Sequence, residues 1–136
     1  ACPWFAGWPP GYLDALRWLH RADPRGADIL LTENGWCGDD SPADEEDRLW
    51  YHRAYLEQVA KAAREGIPVV GYTAWSFMDN YEWGSYAPRF GLHRVEYPEG
   101  VEEPDFSTVS ELRRVPRKAA YFFEEFAKSK CVPLEI

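Results

Sequence analysis

Apolar and polar positions along the chain follow two periods, and these divide it into helices and buried strands. Tyr12, Leu13, Leu16 and Leu19 recur at helical spacing with Asp14, Arg17 and Arg21 between them, which predicts an amphipathic helix. The segment from Ala1 to Pro10 is an aromatic, proline-rich loop, and Pro9-Pro10 fit the first turn of that helix, where a missing N–H removes no bond. Asp23-Pro24-Arg25-Gly26 ends it in a turn. Ile29-Leu30-Leu31-Thr32 is a short, almost continuous apolar run. Lacking the alternation of a half-exposed strand, it predicts a parallel strand buried on both faces. Glu33 follows directly.

Ser41-Pro42-Ala43-Asp44 has the composition of a helix start, with Ser41 as N-cap, Pro42 at the first position and acids in the first turn. Leu49, His52, Leu56, Val59 and Ala63 form its apolar stripe and Gly66 a natural stop, so the helix is expected to run to about Glu65. The run Asp44-Glu45-Glu46-Asp47 reads as a solvated first turn matched to the helix dipole rather than as a metal site. Val69 to Ala74 is a second buried strand. Strand, helix, strand at this spacing is one βαβ unit, whose two strands must be parallel. Leu92 to Val95 predicts a short extended piece, and Glu96 to Ser110, acidic with Pro98, Gly100 and Pro104, a surface loop. Pro116 is expected to open a last helix that packs through Ala119, Tyr121, Phe122, Phe123 and Phe126, with a loosely held tail from Cys131 to Ile136.

Composition narrows the function classes. A net charge of −8 and a pI near 4.9 repel phosphate backbones and offer no basic patch, which argues against nucleic acid and anionic lipid as partners. No apolar run approaches the roughly 20 residues of a membrane-spanning helix. Cys2, Cys37 and Cys131 are odd in number and lack a CxxC spacing, which argues against a zinc site and against a self-contained disulfide framework. His20, His52 and His93 are scattered. No metal or other cofactor is therefore expected.

The candidate chemistry lies in the stretch from Tyr72 to Leu92. After the apolar run ends, rings are interleaved with Asp79, Asn80, Glu82 and Arg89. Flat rings stack on the C–H face of a pyranose while carboxylates accept hydrogen bonds from its hydroxyls, so this mixture suits a sugar site. Glu33 is the second candidate: an acidic residue at the end of a buried strand, followed by Asn34-Gly35, stands where barrel enzymes place their active sites.

Trp75-Ser76, Asp79-Asn80-Tyr81-Glu82-Trp83 and Arg89-Phe90-Gly91 resemble the C-terminal signature of the glycoside hydrolase family 1 β-glucosidases. Leu31-Thr32-Glu33-Asn34-Gly35 resembles the family's nucleophile motif at the right distance upstream. The resemblance runs from about Trp8 to about Phe126. It implies an α/β fold: residues 1–136 as a single partial domain, the last two βα units of a (β/α)8 TIM barrel, which when complete needs about 250 residues or more. It also implies a retaining hydrolase of β-glucosides or oligosaccharides, with Glu33 as nucleophile and Trp75, Glu82, Trp83 and Phe90 binding the sugar. In that assignment Glu82 accepts from two hydroxyls, Trp83 donates its indole N–H beside it, Trp75 is the stacking platform and Phe90 a wall. A cis peptide between Trp75 and Ser76 is implied as well. Glu82 implies an unphosphorylated substrate, because a carboxylate there would repel a phosphate.

Two departures bear on this assignment. The family's acid/base lies in an Asn-Glu-Pro motif, and no Asn-Glu-Pro occurs in these 136 residues. Retaining hydrolysis requires two carboxyl groups about 5–5.5 Å apart, so the chain alone is expected to be inactive. The span from Gly84 to Pro88 is also one residue shorter than the family's, which predicts a shift of Phe90 relative to Glu82. The alternatives are a catalytically lapsed relative that binds sugar or protein, a plant-type thioglucosidase that dispenses with the acid, and a free-standing binding module. The last would leave an apolar sheet edge open to association.

Overall fold

The computed structural model describes residues 2–97 and 112–129. Its elements, in order, are α1 (Pro9–Ala22), β1 (Ile29–Asn34), α2 (Pro42–Arg64), β2 (Val69–Ala74), β3 (His93–Val95), β4 (Arg114–Pro116) and α3 (Lys118–Ser129). β1 and β2 pair in parallel, with Ile29 opposite Val69, Leu31 opposite Tyr72 and Asn34 opposite Ala74. β3 and β4 form a separate antiparallel pair.

The local rules account for most boundaries. Pro9 and Pro10 occupy the first turn of α1. In α2 the Ser41 hydroxyl accepts from the Asp44 N–H at 3.3 Å, satisfying one of the helix's unpaired donors. Gly66, at φ +80°, takes the left-handed conformation that stops the helix.

Two apolar clusters hold the unit together. Leu13 and Leu16 of α1 meet Ala62 of α2 and Ile67, with Ile29, Leu31 and Val69 of the sheet packed against them. Leu49 and Leu56 of α2 meet Phe122 of α3, with Tyr72, Phe123 and Phe126 alongside. The helices thus cover one face of the parallel pair. The opposite face is bare: Leu30 is 60% exposed and Val70 61%. This corrects the expectation of strands buried on both faces. The apolar run is there, but two strands and their helices supply a cover for one side only, and the residues that alternate outward have nothing over them.

Other expectations need correction. In α2 the buried position is Ala62 while Ala63 is exposed, so the stripe turns slightly from the expected one. Tyr121 of α3 is half exposed, whereas Ala119 and Phe122 are fully buried. Pro116 does not open the last helix; it is the final residue of β4, and the helix begins at Lys118. β4 is three residues long and exists because β3 pairs with it, so no local pattern announces it. Nor is the acidic run of α2 simply solvated. Asp44 is buried against Arg48 at 2.9 Å and accepts from the Trp36 indole at 2.8 Å. Glu45 accepts from the Lys118 backbone and Glu46 pairs with its ammonium, so the first turn of α2 anchors the start of α3. Most of the expected loop from Glu96 to Ser110, and the tail from Cys131, lie outside the described residues.

Cys2 and Cys37 form a disulfide, with Cα atoms 5.8 Å apart. The odd cysteine count argued only against a self-contained framework and left the pairing open; the fold decides it by bringing the loop before α1 onto the turn that follows β1. Cys131 lies outside the described residues. No described helix is long and apolar enough to cross a membrane.

His52 borders the second cluster, fully buried, edge-on to Phe123 at 5.0 Å, and neither ring nitrogen has a hydrogen-bond partner among the described residues. Burial, reinforced by the nearby Arg48 charge, pushes its pKa down to about 3. Between the ordinary value near 6.5 and about 3, the unfolded chain binds a proton that the fold excludes. Stability is therefore full above pH ~6.5 and falls as the pH drops, by up to about 1.4 kcal/mol per pH unit from this group. Thermal unfolding between pH 7 and 5 is expected to show this slope in the parent chain and a flatter one in His52→Leu. Equal slopes would exclude His52 as the source.

Candidate active site

Because β1 and β2 run in parallel, their C-terminal ends lie at one edge of the unit. Glu33 is the penultimate residue of β1 and Trp75 the first residue after β2. Asn34 joins the two ends: its carbonyl accepts from the Trp75 N–H at 2.7 Å. The approach is so close that a Cβ on Gly35 would overlap the Trp75 carbonyl, which leaves glycine as the residue that fits. The Trp75–Ser76 peptide is cis, as the resemblance implied.

A cleft of about 630 Å³ opens at this edge, and Glu33, Trp75, Glu82, Trp83 and Phe90 all line it. Glu33 is exposed to the cleft. Glu82 is oriented by two donors, the Trp75 indole N–H at 2.8 Å and the Asn80 amide at 2.8 Å, both on Oε1. Oε2 has no donor among the described residues, and the side chain lines the cleft. A carboxylate fixed on one oxygen and free on the other is prepared to accept from a ligand hydroxyl. The Trp75 indole N–H is thus already used, which leaves its ring face for stacking.

Trp83 is placed by a tight turn. Glu82 and Ser85 exchange backbone hydrogen bonds at 2.8 and 3.2 Å, and the two residues between them have positive φ, +47° at Trp83 and +111° at Gly84. That is the pattern of a two-residue hairpin of the primed type. It puts Trp83 at the apex, fully exposed. Phe90 is buried, its ring 5.9 Å from Phe5 and edge-on to it. The shorter loop between Trp83 and Arg89 still leaves Phe90 on the same cleft as Glu82.

Asp79 and Arg89, grouped with the sugar-binding residues by their place in the aromatic stretch, face elsewhere. Asp79 is buried and accepts from the Gly91 and Val95 N–H groups and, through both oxygens, from Arg117 at 2.9 and 3.0 Å. Arg117 also donates to the Gly91 carbonyl at 2.7 Å and pairs with Asp40. Burial opposes the Arg117 charge, yet its hydrogen bonds with Asp79 and Asp40 raise its pKa overall. The Arg89 carbonyl accepts from buried Arg48 at 2.9 Å, and Gly38 pairs with Arg89 through two backbone bonds. These contacts fasten the signature loop to α2 and to the start of α3.

The residue pattern does show this cleft resembling a glycoside site, and comparison with known proteins decides the family. The model of glycosyl hydrolase family 1 matches residues 1–132. The chain belongs to glycosyl hydrolase family 1. Lactase/phlorizin hydrolase of Rattus norvegicus is 33% identical over 132 residues, which are 96% of this chain and 6% of that protein. Beta-glucosidase 42 of Arabidopsis thaliana is 36% identical over 108 residues, 74% of this chain and 20% of that one. The solved β-glycosidase of Pyrococcus horikoshii superposes with a TM-score of 0.74 at 37% identity, covering 95% of this chain and 26% of its own. The chain thus spans a quarter or less of the first two relatives and about a quarter of the third.

Several residues of this family 1 cleft were not singled out from sequence. Asn34 accepts from the Tyr72 hydroxyl at 2.7 Å and donates to Tyr51 at 3.2 Å, a chain of bonds directly behind Glu33. Burial raises the pKa of both phenols, so both stay neutral, Tyr72 donating to Asn34 and Tyr51 accepting from it. Asn34 was named only as part of the motif, without a role of its own; Tyr51 and Tyr72 read as helix and strand interior. Trp4 and Phe5 also line the cleft, from a loop with no periodicity to mark it. Arg117 was hidden because its partner is 38 residues away.

Proposed function

We propose that this chain is the closing part of a (β/α)8 barrel and supplies the nucleophile and the sugar-recognition wall of a retaining β-glycosidase. Glu33 attacks the anomeric carbon, and Glu82, Trp75, Trp83 and Phe90 hold an unphosphorylated β-glucoside. The observation that carries the reading is the convergence of Glu33 and the oriented Glu82 carboxylate on one aromatic-walled cleft at the C-terminal edge of two parallel strands. Retaining hydrolysis needs a second carboxyl group to protonate the leaving oxygen. No Asn-Glu-Pro motif is present here, so the acid/base comes from outside these residues and the isolated chain hydrolyses nothing.

The test is complementation. The 136-residue chain alone is expected to leave 4-nitrophenyl β-glucoside intact. Replacing the matching closing segment of the Pyrococcus horikoshii β-glycosidase with this chain is expected to give a hybrid that hydrolyses it and releases β-glucose first. Hydrolysis by the isolated chain would show that the acid is not missing. A folded but inactive hybrid would favour a catalytically lapsed relative instead.

A further inference from the structure

Asn34 and Gly35 are neighbours that can react with each other. An asparagine amide is thermolabile, and a following glycine presents its backbone nitrogen with no side chain in the way. Such pairs ordinarily mark turns. Here Asn34 is the last residue of β1, next to Glu33, and both it and Gly35 line the cleft, so solvent reaches them. The fold needs glycine at 35, because a Cβ would overlap the Trp75 carbonyl. It also uses both ends of the Asn34 amide. Oδ1 accepts from the Tyr72 hydroxyl at 2.7 Å, and Nδ2 donates to the Tyr51 hydroxyl at 3.2 Å. Neither residue of the labile pair can be exchanged without losing a contact.

Ring closure between the two residues needs the Asn34 Cβ to swing into line with the Gly35 nitrogen. Extended strand backbone, with ψ about +115 to +135°, holds it away. Reaching the nitrogen therefore means breaking three hydrogen bonds: the two on the amide, and that from the Trp75 N–H to the Asn34 carbonyl at 2.7 Å. We propose that Asn34 is a self-modification site, which the Tyr51 and Tyr72 hydroxyls hold shut in the folded chain. Once released, the Gly35 nitrogen attacks Asn34 Cγ and a new C–N bond closes a five-membered imide. The Cγ–Nδ2 bond breaks, and Nδ2 leaves as ammonia with the Gly35 proton. Water then opens the imide, at the side-chain carbonyl to give aspartate or at the backbone carbonyl to give isoaspartate. Both products lose the donor to Tyr51, and isoaspartate also lengthens the chain by one methylene directly after Glu33. The inference does not depend on what the cleft binds.

The test is peptide mapping by mass spectrometry after incubation of the 136-residue chain in warm, mildly alkaline buffer, with aspartate and isoaspartate at position 34 separated by chromatography. Conversion at Asn34 is expected to be at least about tenfold slower in the folded chain than in urea, because only the opened form reacts. Tyr51→Phe and Tyr72→Phe keep the rings, but each removes one hydrogen bond to the amide. Each should raise the rate in the folded chain by about two- to tenfold. The parent chain, in enough urea to match a variant's stability, should keep its slow rate. If it instead converts as fast as the variants, the whole fold is the guard and the proposal is overturned. Equal rates for the folded and unfolded parent overturn it too, as does an absence of conversion in urea. If one variant does not fold, the other carries the comparison, and that between folded and unfolded parent needs neither.

Discussion

Glu33→Gln is expected to lower hydrolysis of 4-nitrophenyl β-glucoside by roughly 10⁴-fold or more in the hybrid barrel. The substitution keeps the shape and the hydrogen-bonding capacity of the side chain but removes the charged oxygen that would form the glycosyl bond. Binding should change little, because Glu82 and the aromatic lining of the cleft are untouched. Glu33→Gly provides the stereochemical check. With the carboxylate gone, added azide can occupy its place, attack the anomeric carbon from the α face and expel the phenolate. The expected product is the α-glucosyl azide, of inverted configuration. A Gln variant retaining more than about one hundredth of the parent rate would remove Glu33 from the nucleophile's role. So would rescue that yields the β-azide.

Asp79→Ala should destabilise the fold by about 3–5 kcal/mol, because the buried Arg117 guanidinium loses the carboxylate that accepts from it through both oxygens and keeps only Asp40 and the more distant Glu45 as counter-charges. The same change strands the Gly91 and Val95 N–H groups, each of which loses a buried acceptor. Relaxation cannot easily offset the loss. A Cβ on Gly91 would run into the Asp79 backbone, which shows how tightly the two segments are packed. Denaturant midpoints at unchanged m-value measure the effect. The paired substitution Asp79→Leu with Arg117→Met should cost less than Asp79→Ala alone, since it removes the charge together with its partner. If Asp79→Ala lost less than about 1 kcal/mol, the network would be dispensable. The network also matters to the cleft. It holds Gly91 beside Phe90 and, through Arg48 and Gly38, keeps Arg89 against the turn that follows Glu33.

Much of this molecule was legible in the chain itself. Local chemistry determined α1, α2 and β2, because prolines at the first turn, a serine cap, a stopping glycine and an unbroken apolar run act within a few residues of where they stand. The nucleophile-like Glu33 and the Glu82 cluster were legible because the positions are contiguous with strand ends that a parallel pair must bring to one edge. What the sequence did not reveal depends on distance. Asp79 and Arg117 are 38 residues apart, Cys2 and Cys37 35 residues apart, and β4 pairs with a strand some 20 residues earlier. None of these has a periodicity, because each is decided by which segments the packed helices bring together. For the same reason Asp79 looked like a sugar ligand in the chain and became a structural anchor in the fold, while Trp4 looked like loop and became part of the cleft. Residue type limits what a side chain can do; only its tertiary neighbours decide whether a carboxylate meets a buried guanidinium or an open cleft.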